Sequence, residues 1–128
     1  MMTSAPLLHL TWAGLDAAVD VIAAQAPRDC AAVCGMDRAG TVLAWALVDR
    51  LAVVCAARPQ AGALLVWGVV ERKPRTRCAD AVIWAWVDMT ASHDVDSVMK
   101  VTPGTVVLMP WQDAAGCRPR PFVPGFDD

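Results

Sequence analysis

The stretch Val33-Cys-Gly-Met-Asp-Arg-Ala-Gly-Thr-Val-Leu-Ala-Trp-Ala-Leu-Val-Asp-Arg-Leu51 decides the fold. An apolar strand runs into a short loop, and a helix opens directly after it. The loop carries Asp37, Arg38, Ala39, Gly40 and Thr41. Such a turn aims backbone N–H groups and the positive end of a helix dipole at one point, and Arg38 adds a full charge beside them. That is the outline of a site for a phosphate, a diphosphate or a carboxylate. These five residues are the first candidate binding residues.

Working outward, Thr11–Gln25 reads as a helix. Trp12, Leu15, Val19 and Ile22 share one face, Thr11 is its N-cap, and Pro27 closes the segment. Asp29–Gly35 reads as a strand, Gly40–Leu51 as a buried helix and Ala52–Ala56 as a second strand. The runs Ala63–Glu71 and Ala81–Val87 are apolar on both faces, which suits central strands covered by helices on both sides. Asp94–Val101 reads as a short helix stopped by Pro103-Gly104, and Thr105–Trp111 as a fifth strand. Helices alternating with strands predict an α/β fold with a mainly parallel five-stranded sheet flanked by helices. Binding then falls at the carboxyl ends of the strands, where the loops after Gly35 and after Val87 both lie. Residues 1–111 form one domain. Residues 112–128 form an irregular Pro-rich arm packed by Phe122 and Phe126.

Composition removes several classes of function. The chain has 128 residues, 56% of them hydrophobic and 19% charged, so it buries a core without staples. So much apolar surface favours a homodimer. The net charge of −2 argues against a nucleic-acid partner. The one basic cluster, Arg72-Lys73-Pro74-Arg75-Thr76-Arg77, reads first as a solvated loop. No apolar run approaches the roughly 18–20 residues that span a bilayer, and Met1–Pro6 carries no secretory pattern, so a cytoplasmic protein without a membrane partner is expected. Arginine outnumbers lysine, and Tyr and Asn are absent. That bias fits a GC-rich genome, such as that of an actinomycete or one of its viruses.

Cys30, Cys34, Cys55, Cys78 and Cys117 form no Cys-x-x-Cys pair. Cys30 and Cys34 on one strand would stand roughly 13 Å apart, too far for a disulfide or a shared metal. Buried, reduced cysteines are expected.

Taken in order, these pieces resemble the type I phosphoribosyltransferases, especially the short purine-salvage kind. Leu10-Thr11-Trp12 with its amphipathic helix resembles the family's Ser/Thr-Trp opening. Val33–Leu47 resembles its strand, diphosphate loop and helix. Leu108-Met109-Pro110-Trp111-Gln112 resembles the Phe-Pro-Trp-Glu of the xanthine and hypoxanthine enzymes. The resemblance implies a Rossmann-like phosphoribosyltransferase fold with a short hood, Trp111 stacking on a base, and Arg38 with the Ala39–Thr41 amides holding diphosphate.

The family's phosphoribosyl diphosphate loop is an apolar strand, two acidic residues, a few variable ones and Thr-Gly at a helix start. Here Asp88 takes the first acidic place and Met89 the second, followed by Thr90-Ala91-Ser92-His93-Asp94. His93 and Asp94 stand where Thr-Gly belongs. An aspartate at about 4 Å from a phosphate costs roughly 4 kcal/mol per unit-charge pair at an effective dielectric of about 20. Thr90, Ser92 and His93 can still donate hydrogen bonds to an anion.

Two readings follow from the resemblance, and a third is an unrelated small α/β domain whose likeness is accidental. One is a degenerate relative that senses a nucleotide or anion, or binds a partner protein. The other is an active purine-type enzyme in which Asp88 holds ribose hydroxyls and magnesium sits on the diphosphate. Other constellations carry less. Ser92-His93-Asp94 has triad residue types, but consecutive side chains cannot form a relay. His9 and His93 have no ligand partners, so no metal set is assigned to them. Trp84 and Trp86 share one sheet face and belong under a helix.

Overall fold

The computed structural model describes residues 6–72, 74, 81–90 and 95–112. Its elements are β1 (Leu7–His9), α1 (Trp12–Gln25), β2 (Ala32–Gly35), α2 (Arg38–Leu51), β3 (Val54–Cys55), β4 (Leu64–Val70), β5 (Val82–Asp88), β6 (Asp96–Lys100) and β7 (Val106–Leu108). A five-stranded sheet has the order β3-β2-β4-β5-β6, and every neighbouring pair in it is parallel. The two apolar runs noted in the sequence, β4 and β5, are interior strands. Their register pairs Leu64 with Val82 and Val70 with Asp88.

Both helices are set by their caps. Thr11 Oγ1 accepts the Gly14 N–H at 2.9 Å and starts α1. Asp37 Oδ1 accepts the Gly40 N–H at 2.6 Å and starts α2. Helix α2 ends on Ala52, whose φ of 54° and ψ of 43° are left-handed. Arg50 in its last turn reaches Asp20 of α1 in an exposed ion pair.

Leu15, Val19 and Ile22 of α1 and Leu43, Ala44 and Leu47 of α2 share one core with Val33, Leu64, Val66, Trp84 and Trp86. Trp84 and Trp86 thus lie under the helices, as their spacing predicts, and Trp86 reaches Gly14 of α1. Each fully buried Leu, Ile or Val here contributes about 1.5–3 kcal/mol. The opposite face of the sheet carries Cys34, Leu65 and Ala85, all buried.

Three expectations change. The segment read as a helix over Asp94–Val101 contains the strand β6, paired with β5 from Trp84–Asp96 to Asp88–Lys100. The pairing with β5 overrides the local spacing of Val95, Val98 and Met99. The strand expected over Thr105–Trp111 shortens to β7 and leaves the main sheet for a parallel pairing with β1. That pairing fixes Leu7 against Val106, and β1 has no periodic signal of its own. The main sheet still has five strands, with β6 in the place given to β7. Strand β2 starts at Ala32, so Cys30 lies outside it.

Cys30, Cys34 and Cys55 are free. Burial and then the Asp29 carboxylate push the Cys30 thiol above its ordinary value. Cys78, Cys117, most of the basic cluster and the arm from residue 113 onward lie outside the described residues. No described helix is long and apolar enough to cross a membrane.

Candidate functional site at the carboxyl rim of the sheet

Because β2, β4 and β5 are parallel, the turn after Gly35 and the turn after Asp88 open on the same rim. One strand, β4, separates them, so they stand about 10 Å apart across the sheet. Gly14 in the first turn of α1 lies against Trp86 toward the carboxyl end of β5, which sets the start of α1, with Trp12, near that rim.

The first turn is pressed hard onto the sheet. A Cβ on Gly40 would lie 2.1 Å from the Val66 carbonyl oxygen, and one on Gly68 would lie 2.2 Å from the Ala39 Cβ. Both positions therefore admit only glycine. Asp37 ties the turn down. Besides capping α2, its Oδ1 accepts the Gly68 N–H at 2.7 Å and its Oδ2 the Val69 N–H at 3.3 Å. Thr41 Oγ1 donates to the Asp37 carbonyl at 2.9 Å, and the Thr41 N–H donates to the same oxygen at 2.8 Å. Arg38 is exposed and Ala39 is buried. The structure thus brings Asp37–Thr41 together, with the Asp37 carboxylate engaged by backbone amides of α2 and β4 and the exposed Thr41 bonded back to the Asp37 carbonyl.

In the second turn, Asp88 is the buried charged residue of the described core, 1% exposed. Its Oδ1 accepts the Thr90 N–H at 2.8 Å and the Thr90 hydroxyl at 2.6 Å. Its Oδ2 accepts from the Lys100 ammonium at 2.9 Å. Burial pushes the Asp88 pKa up, but the Thr90 hydrogen bonds and the Lys100 ammonium outweigh it and hold the carboxyl below its ordinary value. Only seven residues, Met89–Val95, join β5 to its parallel neighbour β6. A parallel crossover through a helix takes a dozen or more. Ser92 and His93 belong to this connection and lie outside the described residues.

Trp111 packs against Trp12, with ring centroids 5.9 Å apart and planes at 46°. Gln112 Oε1 accepts the Met109 N–H at 2.7 Å and closes the turn that carries it. A depression of about 320 Å³ opens past the ends of β4 and β5, lined by Glu71, Arg72, Met89, Pro103, Gly104 and Thr105.

Lys100 was not anticipated. Reading its segment as a helix hid the register that sets it beside Asp88. Its signal was a lysine, rare in this chain, at the end of a short apolar run. Gly68 was also missed, because a lone glycine in an apolar run marks a close approach without naming what approaches.

The purine phosphoribosyltransferase of Pyrococcus horikoshii Ot3 superposes with a TM-score of 0.66 over 89% of this chain and 99% of its own, at 15% identity. The chain has a phosphoribosyltransferase-like fold. No protein-family pattern and no curated protein sequence matches it. That fold shows at 15% identity, so what carried it is the order of elements rather than shared residues.

Proposed function

We propose that this phosphoribosyltransferase-like protein has lost phosphoribosyl transfer and takes up a nucleotide or another small anion at its carboxyl rim as a sensing or interaction module. The observation that carries this is the state of Asp88. To hold ribose hydroxyls its carboxylate must face solvent. Instead it is buried, and Thr90 and Lys100 occupy both oxygens. The short Met89–Val95 connection adds to this, since seven residues leave no room for the loop and helix that would hold a 5′-phosphate.

Magnesium does not fit the residues here. The carboxylate at the expected place is already neutralised by an ammonium, and among the described residues no three His, Cys, Asp or Glu side chains stand together. A depression on the rim beside Arg72 is open to a ligand, where Glu71, Thr105 and Met89 offer polar and apolar contacts. The apolar composition and exposed Leu7, Trp12 and Val106 support a homodimer as the working form.

The competing reading, an active purine-type enzyme, draws on what the similar archaeal protein is named for. Calorimetric titration separates the two. Purine nucleotides should bind without turnover. Phosphoribosyl diphosphate with magnesium and a purine base should release no pyrophosphate. Base-dependent pyrophosphate release would restore the enzyme. Silence toward every nucleotide would leave only the interaction role.

A further inference from the structure

The carboxylate of Asp37 is bound the way an inorganic anion is bound. Three backbone N–H groups from two elements converge on it: Gly40 at 2.6 Å, Gly68 at 2.7 Å and Val69 at 3.3 Å. Gly68 and Val69 are consecutive. In a regular strand, successive N–H groups point to opposite edges, so both can meet one carboxylate only where the strand is locally irregular, and Gly68 is the interior β4 residue without a register partner on β5. Packing shows the same irregularity. Leu64, Val66 and Val69 join the helix-side core, whereas Leu65, Trp67 and Val70 pack on the other side. The alternation slips by one residue at Gly68. Successive amides turned toward one negative group form a concave anion cradle. Here it is completed by the first turn of α2.

The space is filled as well as the hydrogen bonds. Gly40 and Gly68 have no room for even a methyl group, because Val66 and Ala39 already stand there. The Gly40 and Thr41 amides of the first turn are both committed to Asp37, one to its side chain and one to its carbonyl. Arg38 remains exposed beside this turn. Any anion drawn to it also meets the Asp37 charge.

We infer that Asp37 is an internal anion that keeps the N-terminus of α2 closed to phosphate groups. The aspartate is part of the lock on the fold and a repulsive element at the rim. A negative ligand of this protein is therefore held away from the β2–α2 turn. The inference stands apart from the reading above, since its test uses neither nucleotide nor turnover.

The probe is inorganic diphosphate, titrated calorimetrically into the wild type and into Asp37→Ser, which keeps a capping oxygen and removes the charge. The wild type should show no binding that depends on Arg38. Asp37→Ser should bind diphosphate at least tenfold more tightly, and the added change Arg38→Ala should abolish that gain. Asp37→Asn, which keeps the shape of the side chain, repeats the test if the serine variant does not fold. Wild-type binding that survives Arg38→Ala places the anion elsewhere and agrees with the inference. Wild-type binding that falls on Arg38→Ala overturns it, and so does an Asp37 variant that folds and gains nothing.

Discussion

Lys100 Nζ stands 2.9 Å from Asp88 Oδ2, joining the carboxyl ends of two adjacent strands through a half-exposed ammonium and a fully buried carboxylate. The two partners do not carry equal risk. Removing the lysine leaves a buried charge whose carboxylate keeps, among the described residues, the Thr90 hydrogen bonds alone. Neutralising the aspartate leaves an ammonium that can turn to water. Lys100→Met should therefore cost more stability than Asp88→Asn, about 2–3 kcal/mol against about 1 kcal/mol. The double variant should recover part of the lysine loss. Urea unfolding of all four proteins measures the cycle, and equal costs for the two single variants would contradict it.

The same pair sets a pH dependence. An unfolded aspartate titrates near about 3.9, and the folded Asp88 titrates lower. Protons then bind the unfolded chain first, so the contribution of Asp88 is complete above about pH 5. It drains away as pH falls through the folded value. The difference in urea midpoint between the wild type and Asp88→Asn should be constant from pH 7 to about pH 5 and shrink below that. A gap that widens on acidification would reverse the sign.

Gly68 and Ala39 meet where α2 presses on β4. A Cβ on Gly68 would lie 2.2 Å from the Ala39 Cβ and 3.2 Å from its Cα. Gly68→Ala should destabilise by about 2–4 kcal/mol through overpacking. Ala39→Gly alone should cost about 1 kcal/mol of helix propensity. Combined, the two should cost less than Gly68→Ala alone, since the methyl that collides is gone. Thermal unfolding of the three variants tests this, and strict additivity would place the strain elsewhere.

Ala52 ends α2 in the left-handed region, where a Cβ is strained by about 1–2 kcal/mol. Ala52→Gly relieves that strain at some cost in unfolded-chain entropy. The expected outcome is a gain of about 0.5–1 kcal/mol, seen as a higher unfolding midpoint. A lower midpoint would show that the Ala52 methyl contributes packing that outweighs the strain.

Much of this architecture was legible because it is local. Thr11 starts α1 with its own side chain, and the runs around Leu65 and Ala85 are too apolar to lie anywhere but inside. The sequence reading starts α2 two residues late, at Gly40, because it takes Asp37 for a ligand contact rather than the cap. What was illegible depends on partners far along the chain. Strand β6 reads as helix because Val95, Val98 and Met99 have helical spacing, and only pairing with β5 decides otherwise. Strand β1 is three residues long and exists because β7 lies beside it. At the site, the residue types around Asp37 and Asp88 were visible. Their inward orientation was not, since it rests on Gly68 and Lys100, whose positions only the folded chain reveals.

The pairing of Leu7–His9 with Val106–Leu108 also sets an order of events during synthesis. Strand β1 leaves the ribosome long before β7, the strand it pairs with among the described residues. Until Val106 emerges, Leu7 to His9 must wait unpaired beside a sheet that can already assemble from β2 to β6. This small ribbon is a clasp fastened last. A nascent chain arrested ahead of Val106 should carry a formed main sheet and an N-terminal segment still open to proteases.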